Sequence, residues 1–254
     1  MIQHPTIITL LSVIILAFFY KKRNNPLFNF IALITPVLTC ISIFYLPQDN
    51  IISLSSIDLI YEGSAYNKLI GGAFAVVLLS ANLYSIGQDK KLELLFGNAY
   101  GGASFLCLFA GDFVSIFVGL ELMMVFSSMI IFIGGMRASI RSAKKYFLTH
   151  LLSSNMIVVG IAYLITKGKG IALVTATSLL YNPEYESFIL YVMLTGFLIN
   201  IATFPFSGWM VNYYPNASPS GFLYLISFTT KVSIVLLAKI FAGYEPLVYV
   251  ALTM

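Results

Sequence analysis

The sequence predicts an all-α polytopic membrane protein, and three observations carry that prediction. Of its 254 residues, 59% are hydrophobic and only 9% are charged, with a mean hydropathy of +0.92. A soluble domain carries about a quarter charged residues, so the solvent of this chain is largely lipid. The apolar residues run in long continuous segments rather than alternating over about ten residues, which argues against a transmembrane β-barrel. The basic residues sit in short loops between those runs, a topology pattern rather than a nucleic-acid footprint.

About eight spans and the start of a ninth are predicted. The first lies near Ile2–Tyr20. It lacks a preceding basic region and a small-residue cleavage site, so it reads as a retained helix. The second, Leu27–Leu46, leads into an outer loop at about 47–68. The third, fourth and fifth follow at Leu69–Gly87, Leu94–Ala110 and Phe113–Ile133, and the sixth at Tyr146–Thr166. The seventh, Ser187–Phe206, is expected to break at Pro205, because proline removes a backbone donor. Pro215 and Pro219 with Gly208 and Gly221 keep the following stretch irregular. Non-helical backbone at membrane depth survives only where protein or a watery cavity satisfies it. The segment reads equally as part of an ion pathway or as a tight re-entry loop with an interfacial Trp209. The eighth span is Pro219–Ala238, and a ninth starts at Pro246. A span needs about twenty residues, so the chain is expected to end inside that helix.

Lysine and arginine set the orientation. One set of loops holds Lys21, Lys22, Arg23, Lys90, Lys91, Arg137, Arg141, Lys144 and Lys145; the other holds Lys68, Lys167, Lys169 and Lys239. The sets alternate with the spans, which puts the N-terminus outside and the larger set in the cytoplasm. The acids Asp49, Asp58, Glu62, Asp89, Glu93, Glu184, Glu186 and Glu245 fall in loops or at span ends, and Asp112 stands at the mouth of the fifth span. Inside the hydrocarbon region the sequence leaves one acid, Glu121 in "GDFVSIFVGLELMM", and one base, Lys231.

A charge at the bilayer centre costs about 2.5–3.5 kcal/mol on insertion scales, and such residues usually face a bundle interior and mark ion or proton paths. Burial brings a carboxylate and an ammonium towards the range where protons exchange at ordinary pH. Glu121 and Lys231 are therefore the candidate proton-transfer residues. The bland alternative is a buried ion pair that only fixes packing. On its helix Glu121 shares a face with Phe117, Met124, Val125 and Ser128, and Lys231 follows Thr229 and Thr230. Ser128 and Thr230 are supporting polar positions. His150 stands one turn into the sixth span, either at a proton entrance or as a satisfied interfacial histidine. Cys40 and Cys107 read as small buried hydrophobes. The pairs Gly71–Gly72, Gly101–Gly102 and Gly134–Gly135 read as close helix packing. No nucleophile–base arrangement, phosphate loop or metal-ligand spacing is present, so no cofactor and no metal are expected.

The segment "GDFVSIFVGLELMMVFSSMIIF" resembles the fifth helix of the antiporter-like membrane proteins, which include the Mrp-type cation/proton antiporters and the antiporter-like components of respiratory complex I. "KKYFLTHLLSSNMIVVGIAYLI" is similar to their sixth helix, and "FPFSGWMVNYYPNASPSGFLYLISFTTKVSIVLLAKIF" to their broken seventh and eighth. The likeness covers roughly Gly111–Met254; residues 1–110 are similar only in hydropathy and span count. The Gly-Asp opening and "FTTK" lean towards the D-type component of the Mrp antiporters.

The resemblance implies a pair formed by the fifth-helix glutamate and a seventh-helix lysine, with an eighth-helix lysine carrying protons onward. Glu121 and Lys231 match two of these. The third position, five residues before the proline, is Asn200, which can hydrogen-bond but cannot titrate. The resemblance further implies about fourteen helices in two inverted five-helix repeats, each supplying a half-channel. By that reading residues 1–93 are three N-terminal helices, 94–238 the first repeat, and 239–254 the start of a truncated ninth helix. The function expected is that of a membrane component of an Mrp-type cation/proton antiporter in a bacterial inner membrane. Its partners would be other membrane subunits, including one with the second repeat, together with protons, Na+ or K+, and no nucleic acid. Two alternatives stand beside it: a proton-pumping membrane component of a complex I-like NADH:quinone oxidoreductase, and a non-transporting structural protein or split-gene remnant.

Overall fold

The computed structural model describes residues 4–20, 26–54, 57–168, 172–173, 187–245 and 247–249. Lys21, Lys22, Arg23, Lys169, Glu184, Glu186 and the last five residues lie outside the described residues, as does Pro246, where a ninth span is expected. The elements are α1 (Pro5–Phe19), α2 (Pro26–Tyr45), β1 (Asp49–Leu54), β2 (Ile57–Glu62), α3 (Ala65–Gly87), α4 (Lys91–Leu108), α5 (Phe113–Phe132), α6 (Ser139–Gly168), α7 (Ser187–Ile201), α8 (Gly208–Tyr213), a 3-10 turn (Tyr214–Asn216), α9 (Pro219–Ser227) and α10 (Thr229–Ile240).

Each predicted span contains helix. Among the described residues, five stretches are long and apolar enough to cross a membrane: Pro26–Tyr45, Ala65–Gly87, Phe113–Phe132, Ser139–Lys167 and Pro219–Ile240. α1 and α7 have 15 residues each. The outward faces are those of a lipid-dissolved protein: Phe18 is 82% exposed and Phe188 76%. The inward faces of α1 and α2 instead carry Thr9, Ser12, Thr35, Thr39 and Ser42. Their hydroxyls donate to carbonyls of their own helix, at 2.7–3.1 Å. Lipid tails are as apolar as leucine, so small self-satisfied side chains let helices approach where large apolar ones would gain nothing.

α4 is the centre of the bundle and packs on α1, α3, α5, α9 and α10. Residues 97–110 are all buried. Glycine allows the closest approaches. A Cβ on Gly97 would strike the Tyr224 ring, and one on Gly119 of α5 would strike Cys107 Sγ. Gly119→Val is therefore expected to cost about 1–3 kcal/mol by overpacking, read as a lower unfolding midpoint in detergent. Of the two cysteines, Cys107 is buried and Cys40 half-buried; both are free thiols.

The structure departs from the expected elements at four places. The outer loop at 47–68 contains an antiparallel hairpin, with Asp49 opposite Glu62 and Leu54 opposite Ile57. Its two six-residue strands are short, which hides them beside the long apolar runs. α6 starts at Ser139 rather than Tyr146, because "SIRSAKK" consists largely of good helix formers. It is anchored there by Ser139 Oγ, which donates to Asn216 O at 2.6 Å. α7 stops at Ile201, and Ala202 takes a positive φ of 62° before the cis Phe204–Pro205 bond. The eighth span is itself broken: α9 ends at Ser227 and α10 begins at Thr229, with neither proline nor glycine at the junction.

At one end of the bundle Asp112 caps α5 and holds the hairpin. Its carboxylate accepts Ser115 N–H at 2.7 Å, Ser115 Oγ at 2.8 Å and Ile60 N–H at 2.9 Å. Lys239 reaches the same end, 3.1 Å from Glu62 and from Leu108 O. Burial first, and then the Asp112 carboxylate, hold the Tyr61 phenol above its ordinary pKa.

Candidate functional site

The site is assembled from α5, α6, α7 and the α9–α10 junction. Glu121 lies midway along α5, half-buried, and its Oε1 accepts the Ser154 hydroxyl of α6 in a short hydrogen bond. The two helices pack along their length, which brings together residues 33 positions apart in the sequence. Ser128, the polar neighbour expected on the face of Glu121, turns to its own backbone and donates to Val125 O at 2.7 Å. The partner of Glu121 is thus an interhelical serine that spacing along one helix cannot reveal.

Asn200 is buried in the last turn of α7. Its Oδ1 lies 2.7 Å from His150 Nδ1 and accepts Ser153 Oγ at 2.5 Å. His150 is buried, and its other ring nitrogen, Nε2, has no hydrogen-bond partner. The imidazole stacks against Tyr146 at 4.3 Å and Trp209 at 4.5 Å between ring centroids. Trp209 Nε1 donates to Ile199 O at 2.7 Å, a carbonyl in the last turn of α7 that also accepts Ala202 N–H at 3.0 Å. The indole thus ties the chain after the break back to the end of α7, beside the Asn200–His150 pair. Trp209→Phe retains the aromatic packing and loses that bond. It is expected to lower stability by about 0.5–1.5 kcal/mol, since the Ile199 carbonyl keeps Ala202 N–H, measured by thermal unfolding in detergent.

The α9–α10 junction supplies the fourth wall. Thr229 N–H donates to Tyr100 OH at 2.9 Å, and the Thr229 and Tyr100 hydroxyls share a short hydrogen bond. The Ile226 carbonyl accepts Lys231 Nζ at 2.5 Å. Lys231 is exposed and Thr230 half-buried, so the lysine side chain lies on the outer flank of the junction, and no ion pair joins it to Glu121. A cavity of about 10 Å3, on the scale of one water, is bordered by Ser154, His150, Asn200, Tyr146 and Thr229. It joins the serine that holds Glu121 to the threonine two positions before Lys231.

Glu121 is not the most deeply packed acid. Glu93, in the first turn of α4, is 2% exposed and accepts the Ser218 and Ser220 hydroxyls at the start of α9. Asp112 is fully buried. Both stand at span ends, as the sequence places them, but serines and backbone amides from other elements enclose them. A further buried network links Asn82, Asn98 and Tyr224; Tyr224 OH donates to Asn82 Oδ1 at 2.7 Å. Among the described residues no group of three His, Cys, Asp or Glu side chains is placed to hold a metal ion.

Comparison with known proteins fits this geometry. Residues 110–253, more than half of the chain, match the family described as NADH:quinone oxidoreductase/Mrp antiporter, transmembrane region. The chain is 27% identical over 250 residues to the N-type component of the NADH-quinone oxidoreductase of Bacillus anthracis, covering 91% of this chain and 48% of that protein. It is 28% identical over 99 residues to the D-type component of the Na(+)/H(+) antiporter of Bacillus subtilis, covering 35% of this chain and 19% of that one. Among solved structures it resembles a chain of the Mrp complex from Dietzia sp., with a TM-score of 0.71 at 16% identity, over 98% of this chain and 47% of that chain. It also resembles a chain of the membrane-bound sulfane sulfur reductase, an archaeal respiratory membrane complex. There the TM-score is 0.74 at 14% identity, over 98% of this chain and 55% of that chain. The chain spans about half the length of the curated relatives it matches over most of its own length.

Proposed function

We propose a function from one premise: the chain belongs to the NADH:quinone oxidoreductase/Mrp antiporter transmembrane family. It is an integral membrane protein of the antiporter-like type. Its proposed role is to carry protons through a half-channel in which Glu121 takes and releases the proton and Lys231 passes it on. The observation that carries this reading is the small cavity lined by Ser154, His150, Asn200 and Thr229, together with Leu120, Met123, Met124 and Tyr146. A proton leaving Glu121 meets the Ser154 hydroxyl, then a space of single-water size that His150 helps to line, then the Thr229 hydroxyl. Hydroxyls and water both donate and accept, which a relay requires. Asn200 does not titrate; it orients His150 and Ser153.

Residues 94–238 would then form one repeat. It places the chain with other membrane subunits, one of them supplying a second half-channel, in a bacterial inner membrane with the N-terminus outside. Two assemblies fit. The Mrp-type cation/proton antiporter is the first reading, and the coupled ion would be Na+ or K+. A complex I-like NADH:quinone oxidoreductase is the second, favoured by the longer match to the relatives named for that oxidoreductase. Native co-purification followed by mass spectrometry separates them. Small antiporter proteins support the first, iron–sulfur and flavin proteins the second, and a chain recovered alone rejects both.

Lys231→Ala gives an independent check. The side chain is exposed and its polar contact is a backbone carbonyl, so the unfolding midpoint is expected to move little. Proton flux through the assembly is expected to be lost. Unchanged flux at normal abundance would remove Lys231 from the path.

A further inference from the structure

Outside the polar site, an apolar groove of about 410 Å3 lies between α5 and α6. We infer that it holds an acyl chain of an anionic phospholipid whose headgroup is bound by Lys144.

The walls are Val125, Met129 and Phe132 on α5 and Phe147 and Leu148 on α6, with Ser128 at the floor. Ser128 commits its hydroxyl to Val125 O, so the floor offers a ligand little polarity. Lys144 is the one charged residue among the groove's lining, and it stands at the mouth nearest the α5–α6 turn. Arg137, Arg141 and Lys145 are exposed around that turn, with no acid between Arg137 and Lys145. Basic residues between membrane helices attract anionic headgroups, while an apolar slot below them takes the tail. The two parts lie in the right order, charge at the helix ends and apolar wall deeper.

The basic residues at its mouth, with no acid among them, favour an acyl chain carrying an anionic headgroup over a neighbouring apolar helix. The deep end of the groove reaches Val125, one helical turn from Glu121. A bound chain there covers the outer flank of α5 below the carboxylate and keeps bulk water and loose lipid from that side.

The test uses the full chain in its native membrane assembly. It is labelled with phosphatidylglycerol or phosphatidylcholine carrying a photoactivatable acyl chain, and the adducts are mapped by mass spectrometry. Phosphatidylglycerol is expected to mark Met129, Phe132, Phe147 or Leu148 more strongly than phosphatidylcholine does. Lys144→Gln is expected to reduce only the phosphatidylglycerol adduct, by about fivefold, the effect of one basic residue beside an anionic surface. Leu148→Trp, at an exposed wall position, narrows the groove without touching the core and is expected to weaken both adducts. Equal labelling by the two headgroups in the unmodified chain overturns the anionic preference. Adducts spread evenly around the helices, or a cross-link from the groove to another protein of the assembly, overturn the site.

Discussion

Membrane vesicles holding the native assembly with Glu121→Gln are expected to show no proton flux above that of protein-free vesicles, with the chain at its normal abundance. Glutamine has the shape of glutamate, and its amide oxygen still accepts the Ser154 hydroxyl. The contact between α5 and α6 therefore survives and the fold has no reason to fail. Titration is the property that disappears. Replacing the carboxylate by a neutral group also lifts the insertion cost of a mid-bilayer charge, about 2.5–3.5 kcal/mol on insertion scales, so the variant should be no less stable than the parent. That opposition of signs makes the test sharp: stability held or raised, transport gone. Ser154→Ala tests the next link. It removes a hydrogen bond to an ionisable group, worth about 1.5–3 kcal/mol, and is expected to reduce flux without abolishing it. Full flux in Glu121→Gln would make the acid a packing residue and end the proposal.

Much of this arrangement was legible in the sequence, for reasons that differ by element. Apolar runs of about twenty residues located the helices because no other single segment satisfies its own backbone in lipid. Pro205 and its neighbours marked the break after α7 because proline states its effect locally. The break at Phe228 left no such mark. It rests on Tyr100, more than a hundred positions away, whose buried hydroxyl accepts the Thr229 amide; the exposed Lys231 only adds a bond to the Ile226 carbonyl from outside. Glu121 stood out as a lone acid, yet its partner did not, since a serine on another helix is indistinguishable from the many that bond only their own turn. Lys231 was read as an interior charge because the run around it is apolar; which flank of α10 it occupies depends on the junction that turns the helix. Asn200, His150 and Trp209 were each visible one by one, but their meeting required the reversal of the chain between Ile201 and Gly208.

The largest effect on stability is expected at Asp112. Its two carboxylate oxygens serve three donors: Ser115 N–H on one, Ser115 Oγ and Ile60 N–H on the other. Asp112→Ala removes the cap of α5, a loss of about 0.5–2 kcal/mol. It also leaves the half-buried Ile60 amide and the buried Ser115 hydroxyl without that acceptor. Each orphaned buried group costs about 1–3 kcal/mol, less where water reaches it. Together the loss should come to about 2–4 kcal/mol, a large drop in the unfolding midpoint in detergent. Asp112→Asn separates the two contributions. Asparagine caps a helix as well as aspartate does, but its single oxygen cannot replace both carboxylate oxygens, so an intermediate loss is expected. The damage should also have a direction. Ile60 N–H to Asp112 is one of three bonds that tie the hairpin to the turn before α5, with Glu62 N–H to Phe109 O and Gly111 N–H to Ile60 O, so protease should cut within 47–68 sooner in Asp112→Ala than in the parent, before α5 or α6 is attacked. An unchanged midpoint with unchanged protection of the hairpin would show that the Glu62–Lys239 pair, 3.1 Å apart, and the backbone bonds of Glu62 and Gly111 suffice to hold that end of the bundle closed.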